Sequence, residues 1–206
     1  MNIERLLKIY PIISDQVTAK GLQVILNALT RTLDAGIEGA VTEFGCYSGT
    51  TSLFIRRVLD GYHDTRAFHV YDSFEGLPDK RRQDLSAAGV DFKAGELAIS
   101  KQQFLRNFQH AHLAPPITHK KWFNELTDQD LPGQICFAFL DGDFYDSIRE
   151  SLELVWPRMH AGGMVLIDDY NRETLPGVAR AVADFQNTHR SFVPARIETN
   201  IAVFMC

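Results

Sequence analysis

Apolar runs of strand length alternate with helical patterns along almost the whole chain. This alternation restricts the fold more than any other feature. Ala40 to Phe44, "AFHVYD", Ile135 to Leu140 and "MVLIDDY" read as strands, with "PITHKKWF" a weaker one. Between Val17 and Ala35 the apolar positions Leu22, Ile25, Leu26, Leu29 and Leu33 recur at helical spacing, and Gly36 and Gly39 stop them. "LFIRRVLDG", residues 101–112 and "SIRESLELVW" continue the helical series. In the last of these Ile148, Leu152, Val155 and Trp156 share a face, and Ser147 with Glu150 fits an S-x-x-E capping box at the helix start. Pro157 and Gly162-Gly163 end or bend that helix. Pro176 suits the first turn of a helix reaching Thr188. Strands around Phe192–Glu198 and Ile201–Met205, turned at Thr199-Asn200, close the chain. The pattern predicts an α/β fold: a mostly parallel sheet with helices on both faces.

The bulk properties fit one such domain spanning residues 1–206, with residues 1–38 an N-terminal helical segment. A chain of 206 residues with 45% apolar composition buries roughly 70% of its unfolded surface. A formal net charge of -5 does not favour nucleic acid or anionic membrane as a partner. Cys46, Cys136 and Cys206 are an odd, widely spaced set without a CxxC pair, so neither a disulfide framework nor a zinc site is expected. "MNIERLLKIYPII" reads as neither a signal peptide nor a membrane span, which makes a reducing cytoplasm the default location.

In open α/β sheets ligands bind beyond the C-terminal strand ends. Between the first strand and the next helix lies "EFGCYSGTTS". Gly45 and Gly49 permit a tight turn and close approach to a ligand, and a loop opening a helix offers N–H groups to an anion. The G-x-x-x-G spacing is not the dinucleotide fingerprint G-x-G-x-x-G. Glu43, just before the loop, would repel a pyrophosphate but hold an ammonium, which favours an amino-acid-bearing nucleoside. Asp72 closes the second strand, where a carboxylate can accept both hydroxyls of a ribose.

"FLDGDFYDS" crowds Asp141, Asp143 and Asp146 at the end of an apolar run, and Asp168-Asp169 follows one strand-helix-strand interval later. If those two strands are neighbours, Asp141, Asp168 and Asp169 converge. Two ionised carboxylates ~4 Å apart cost about 4 kcal/mol at an effective dielectric near 20, against a domain stability of ~5–15 kcal/mol. The cluster must take up protons or bind a cation. Hard oxygen donors suit Mg²⁺, Mn²⁺ or Ca²⁺ better than Zn²⁺. Adjacent strand residues face opposite ways, so Asp168 and Asp169 reach one ion only if the strand has ended by Asp168. Asp146 sits where it favours the helix dipole, and Asp143 is open to either role.

Taken in order, "TEFGCYSGTTS", "YDSFEGLP", "KWFNEL", "FLDGDFYDS" and "PRMHAGGMVLIDDY" resemble the macrocin O-methyltransferase family (TylF type) over roughly residues 15 to 185. The glycine loop and acids are more distantly similar to the catechol O-methyltransferase type. The resemblance implies a single-domain class I methyltransferase (Rossmann-like) fold, with seven strands, mostly parallel, and an antiparallel last strand. It implies S-adenosylmethionine as cofactor, a small-molecule hydroxyl acceptor and a possible homo-oligomer. By resemblance, Glu43, Gly45, Tyr47, Gly49 and Thr51 surround the methionine portion, Asp72 and Ser73 the ribose, and Trp122 and Phe123 the adenine. By the same resemblance, Asp141, Asp168 and Asp169 would hold Mg²⁺ or Mn²⁺. The catechol type has a lysine shortly after its first metal aspartate. Here Asp143 and Phe144 stand instead, so the expected base is Asp141, as ligand and proton acceptor, with Asp143 second.

The chemistry of the residues agrees. A protonated alcohol attacks a sulfonium methyl poorly, a divalent ion lowers its pKa, and a nearby carboxylate takes the proton. Two vicinal oxygens chelate best, which points to a natural-product sugar or a catechol-like ring. Residues 76–100 are the candidate lid. His69 and His160 read as structural or exposed, and Trp156 and Phe185 as core. Two other classes compete: an NAD-dependent oxidoreductase, which the glycine spacing does not support, and a non-catalytic S-adenosylmethionine-binding module.

Overall fold

The computed structural model describes residues 1–89 and 92–206. Two helices, α1 (Ile3–Ile9) and α2 (Ala19–Asp34), precede the sheet. The alternation then runs β1 (Ala40–Phe44), α3 (Thr50–Gly61), β2 (Phe68–Asp72), α4 (Lys101–His110), β3 (Ile117–Lys120), β4 (Ile135–Leu140), α5 (Tyr145–Val155), β5 (Met159–Ile167), α6 (Pro176–Thr188), β6 (Pro194–Glu198) and β7 (Ile201–Met205). The strands form one seven-stranded sheet in the order β3-β2-β1-β4-β5-β7-β6. The pairs from β3 to β5 are parallel, whereas β7 runs antiparallel to both β5 and β6. This is the expected sheet.

Burial explains why the strands read as continuous apolar runs. Successive side chains of β5 and β7 alternate between two cores, Met164, Leu166, Ile201 and Val203 on one face and Val165, Ile167, Ala202 and Phe204 on the other. The first core packs α2, α3 and α4 through Leu29, Phe54 and Phe104, and the second packs α5 and α6 through Leu152 and Val182. Phe185 is in the core as expected, and Trp156 packs partly buried against it.

Two local readings are corrected. Ser147 does not cap α5, because that helix begins at Tyr145 and its N-cap, Phe144, has no side chain able to bond. Gly162-Gly163 do not end α5 either: they lie within β5, where β4 and β5 shift register. The three cysteines are free. Among the described residues no helix is long and apolar enough to cross a membrane.

The order of winding reverses between β1 and β4, since β1 leads outward to β2 and β3 while β4 leads to β5 on the opposite side. A crevice therefore opens beyond the ends of β1 and β4. The glycine loop follows one of these strands and the aspartate loop follows the other.

Candidate active site

A cavity of about 330 Å³ occupies that crevice. Gly45, Tyr47, Asp72, Ser73, Trp122 and Phe123 line one part of it, and Asp141, Asp143, Asp168 and Asp169 another. Glu43, Gly49 and Thr51 stand behind the wall. Glu43 is 1% exposed, Thr51 is buried in the first turn of α3, and Gly49 is its N-cap.

The glycine loop owes its residues to contacts with the protein itself. Gly45 has φ +85, and a Cβ there would lie 1.9 Å from the Asp141 carbonyl oxygen. Gly49 has φ +84, and a Cβ there would lie 2.7 Å from the Phe104 ring. Two of the loop's N–H groups are already used: Cys46 and Tyr47 donate to Asp72 Oδ2 at 2.9 and 3.3 Å. Asp72 Oδ1 accepts from the Phe74 N–H at 2.7 Å. Asp72 thus clamps the loop, leaving one of its roughly four acceptor positions for a ligand.

The acids meet because β4 and β5 pair in parallel with Leu140 opposite Ile167, so Asp141 and Asp168 are the first residues beyond the paired ends. Backbone bonds tie both down: Asp141 N–H donates to the Phe44 carbonyl at 2.8 Å, and Asp168 N–H to the Leu140 carbonyl at 3.0 Å. The strand has ended by Asp168, and Asp169 takes a left-handed turn with φ +52. Both acids therefore line the cavity.

Burial, then the charges of Asp168, Asp143 and Asp169, push the Asp141 carboxyl well above the ordinary range. Asp143 is pushed up by burial and by Asp169 and Asp168, with partial relief from Arg172. Asp168 rises to about 7, through burial first and Asp169 second. Proton uptake or a bound cation would relieve this repulsion.

The donor chemistry fits a hard divalent ion. The side chains as they stand do not surround one point: among the described residues no three of His, Cys, Asp or Glu are arranged to hold a metal. Asp168 Oδ1 accepts from the Asp169 N–H at 2.9 Å, and Asp169 pairs with Arg172 at 3.4 Å. Holding an ion there takes a rearrangement of these side chains.

Glu43 supplies a test of the cavity's inner electrostatics. Its carboxyl accepts a 2.5 Å bond from Ser52 Oγ, yet burial, with a smaller push from Asp72, raises its pKa from 4.5 to about 8. Between pH 4.5 and 8 the folded chain binds a proton that the unfolded chain releases, so stability falls as pH rises through that window. The full penalty, a few kcal/mol in order of magnitude, is present above pH 8 and absent below 4.5. Glu43→Gln is therefore expected to be more stable than the parent at pH 8.5 and no better at pH 5. Urea unfolding at the two pH values measures this; an advantage that is the same at both would show that Glu43 is ionised in the fold.

Several wall residues escaped the sequence reading. Gln16, from the stretch between α1 and α2, reaches the cavity, as do Asn124 and Arg172. Ser147 and Glu150 face it from α5, and the pattern that misassigned them as a cap was the one available signal. The candidate lid supplies Leu77, Asp79, Arg81, Phe92 and Leu97, while its residues 90 and 91 lie outside the described residues. His69 stands apart, its Nδ1 3.1 Å from His119 Nε2 with the rings stacked, and His160 bonds the Ala161 carbonyl.

Comparison with known proteins gives a consistent picture. The model of the family described as Macrocin-O-methyltransferase (TylF) matches residues 11–205. An 8-demethyl-8-(2,3-dimethoxy-alpha-L-rhamnosyl)-tetracenomycin-C 4'-O-methyltransferase of Streptomyces olivaceus is 33% identical over 161 residues, 75% of this chain and 61% of that protein. Demethyldecarbamoylnovobiocin O-methyltransferase of Streptomyces niveus is 27% identical over 166 residues, 73% of this chain and 60% of that one. The chain thus spans about three fifths of the length of these relatives. Among solved structures, the O-methyltransferase NovP superposes with a TM-score of 0.80 at 23% identity, covering 92% of this chain and 80% of its own. A calicheamicin methyltransferase does so with 0.74 at 19%, covering 98% and 89%. At these identities the likeness is one of fold, and the fold is that of class I methyltransferases.

Proposed function

The chain belongs to the macrocin-O-methyltransferase (TylF) family, and from that premise we propose that it moves a methyl group from S-adenosylmethionine to a hydroxyl of a small natural product, a sugar or a catechol-like ring. The observation that carries this reading is the pairing of Leu140 with Ile167, which sets Asp141 and Asp168 side by side next to the Gly45–Tyr47 turn.

In this reading the cofactor lies along Gly45, Tyr47, Asp72 and Ser73, with its adenine near Trp122 and Phe123. Glu43, Gly49 and Thr51 shape that wall from behind. The acidic cavity favours a sulfonium cation over the neutral thioether left after transfer, which helps binding of the donor and release of the product. Asp141, Asp168 and Asp169 would hold a Mg²⁺-type ion; when bound, it lowers the pKa of the acceptor hydroxyl and fixes its direction.

As the acceptor oxygen bonds to the methyl carbon, the carbon–sulfur bond breaks and its electron pair stays on sulfur. The hydroxyl proton passes to a carboxylate. In this reading Asp143 receives it, because Asp141 is committed to the ion while Asp143 lines the cavity without being one of the ion's ligands. The other acids hold the oxygen near its target, and such proximity supplies much of the remaining acceleration.

S-adenosylhomocysteine at a hundredfold its Kd is expected to stabilise the protein by about 2.7 kcal/mol, a Tm rise of roughly 5–10 °C for a chain of this size. NADH is expected to give none. The reverse result would favour an oxidoreductase. Chelation with EDTA is expected to stop methyl transfer and Mg²⁺ or Mn²⁺ to restore it; transfer that persists in EDTA removes the ion from the scheme. Binding of the cofactor without transfer to any sugar or catechol hydroxyl would leave a binding module.

A further inference from the structure

Asp84 is an acid that the chemistry above does not use. It sits in a short turn, Arg82–Asp84, inside the candidate lid and is only 3% exposed. It does not line the cavity. Its Oδ1 accepts from the N–H of Tyr145, the first residue of α5, at 2.7 Å, and its Oδ2 accepts from the Arg81 N–H at 2.7 Å. The cap that Phe144 cannot provide thus arrives from 61 residues earlier in the chain.

The same carboxylate touches a second helix start. Gly177 is the second residue of α6, and a Cβ there would lie 1.8 Å from Asp84 Oδ1 and 2.9 Å from the Tyr145 nitrogen. Asp84 is therefore wedged between the positive ends of α5 and α6, which accounts for a buried carboxylate that accepts from two backbone N–H groups. Its neighbours bind α5, α6 and the turn before α6. Arg81 pairs with Asp146 at 2.5 Å, Arg180 donates to the Gln83 carbonyl at 2.5 Å, and Ser86 Oγ donates to the Glu173 carbonyl at 2.6 Å.

Each of those helix starts follows one of the acid loops. Tyr145 comes two residues after Asp143, whose φ of +58 must be held by its surroundings. The start of α6 closes the turn that begins at Asp168-Asp169. On the other side of Asp84, Asp79 and Arg81 line the cavity.

We infer that Asp84 is a positioning residue that fastens residues 79–89 to the Asp143 loop, so that the cavity wall formed by Asp79 and Arg81 and the direction of the Asp143 carboxyl are set together. Its kinetic consequence rests on the methyl-transfer reading; the fastening itself does not.

The test compares the parent with Asp84→Ala and the isosteric Asp84→Asn, which can still accept from Tyr145 but not from Arg81. Native-state amide exchange at Tyr145 and proteolytic cleavage within residues 79–89 are expected to be at least tenfold faster in Asp84→Ala and intermediate in Asp84→Asn. With caffeate as a catechol probe, kcat is expected to fall at least tenfold in Asp84→Ala and to be partly rescued in Asp84→Asn. The KM for S-adenosylmethionine and the Kd for S-adenosylhomocysteine should stay within twofold. Exchange and cleavage unchanged in both variants would overturn the inference, and so would cofactor affinity lost in step with kcat, the mark of general loosening. A parent that methylates nothing would count against the proposed reaction, while exchange and cleavage still decide the fastening.

Discussion

Asp143→Asn is expected to lower kcat by about 10²–10⁴, to leave S-adenosylhomocysteine binding within twofold, and to stabilise the fold. The three outcomes share one cause. Asp143 is 9% exposed, and burial with the charges of Asp169 and Asp168 opposes its ionisation. The amide keeps the shape and removes the charge. Asparagine also tolerates the left-handed backbone that this position adopts at φ +58. On the proposed mechanism the strain of the acid is kept for function, and removing it trades activity for stability. Single-turnover transfer, a binding titration and urea unfolding read the three effects separately. If kcat stays within threefold, the proton goes elsewhere. Asp141→Asn then becomes the variant to compare: loss there with Asp143 spared would return the role of base to Asp141.

Much of this arrangement was legible in the sequence because it depends on strand ends, and apolar runs mark strand ends well. Ala40–Phe44 and Ile135–Leu140 were bounded as they fold, and the strand–helix–strand interval made Asp141 and Asp168 neighbours. What escaped depends on contacts between residues far apart in the chain. Ser147 and Glu150 fit a capping box and so point to a start of α5 at Ser147; the Tyr145 N–H is instead bonded by Asp84, which no local pattern can reveal. The candidate lid carries no periodicity because short turns tie it to itself, such as Leu77 to Gly95 and Glu96, and single bonds reach outward to α5 and α6. The glycine loop and the second strand end point to Gly45, Gly49 and Asp72 as cofactor neighbours. Their immediate partners, the Asp141 carbonyl, the Phe104 ring and the Cys46 and Tyr47 N–H groups, came only with the fold.

Gly45→Ala is expected to cost at least about 4 kcal/mol, among the largest single-residue effects and a serious fraction of a ~5–15 kcal/mol stability. Two penalties add. The left-handed backbone at φ +85 disfavours any side chain by roughly 1–2 kcal/mol. The new Cβ would also sit 1.9 Å from the Asp141 oxygen, a backbone atom in a strand end that cannot swing aside. Asp141 is held by the Phe44 carbonyl and Gly45 by the Tyr71 carbonyl, so relief must come from parting β1 and β4 at the crevice. Gly36→Ala separates the two penalties, since Gly36 has φ +66 with nothing within 4 Å of its missing Cβ, and should cost only the first. Gly49→Ala falls between them: its obstacle is the Phe104 ring, a side chain that can turn, although that ring is fully buried. Urea midpoints should therefore fall in the order Gly36→Ala, Gly49→Ala, Gly45→Ala, the last lowest. Whatever Gly45→Ala protein folds should have lost methyl transfer, because the atom that must move belongs to the residue meant to hold the ion. Equal midpoints for Gly45→Ala and Gly36→Ala would mean that the two loops do not touch as described, and that the acids are not fixed by the turn next to them.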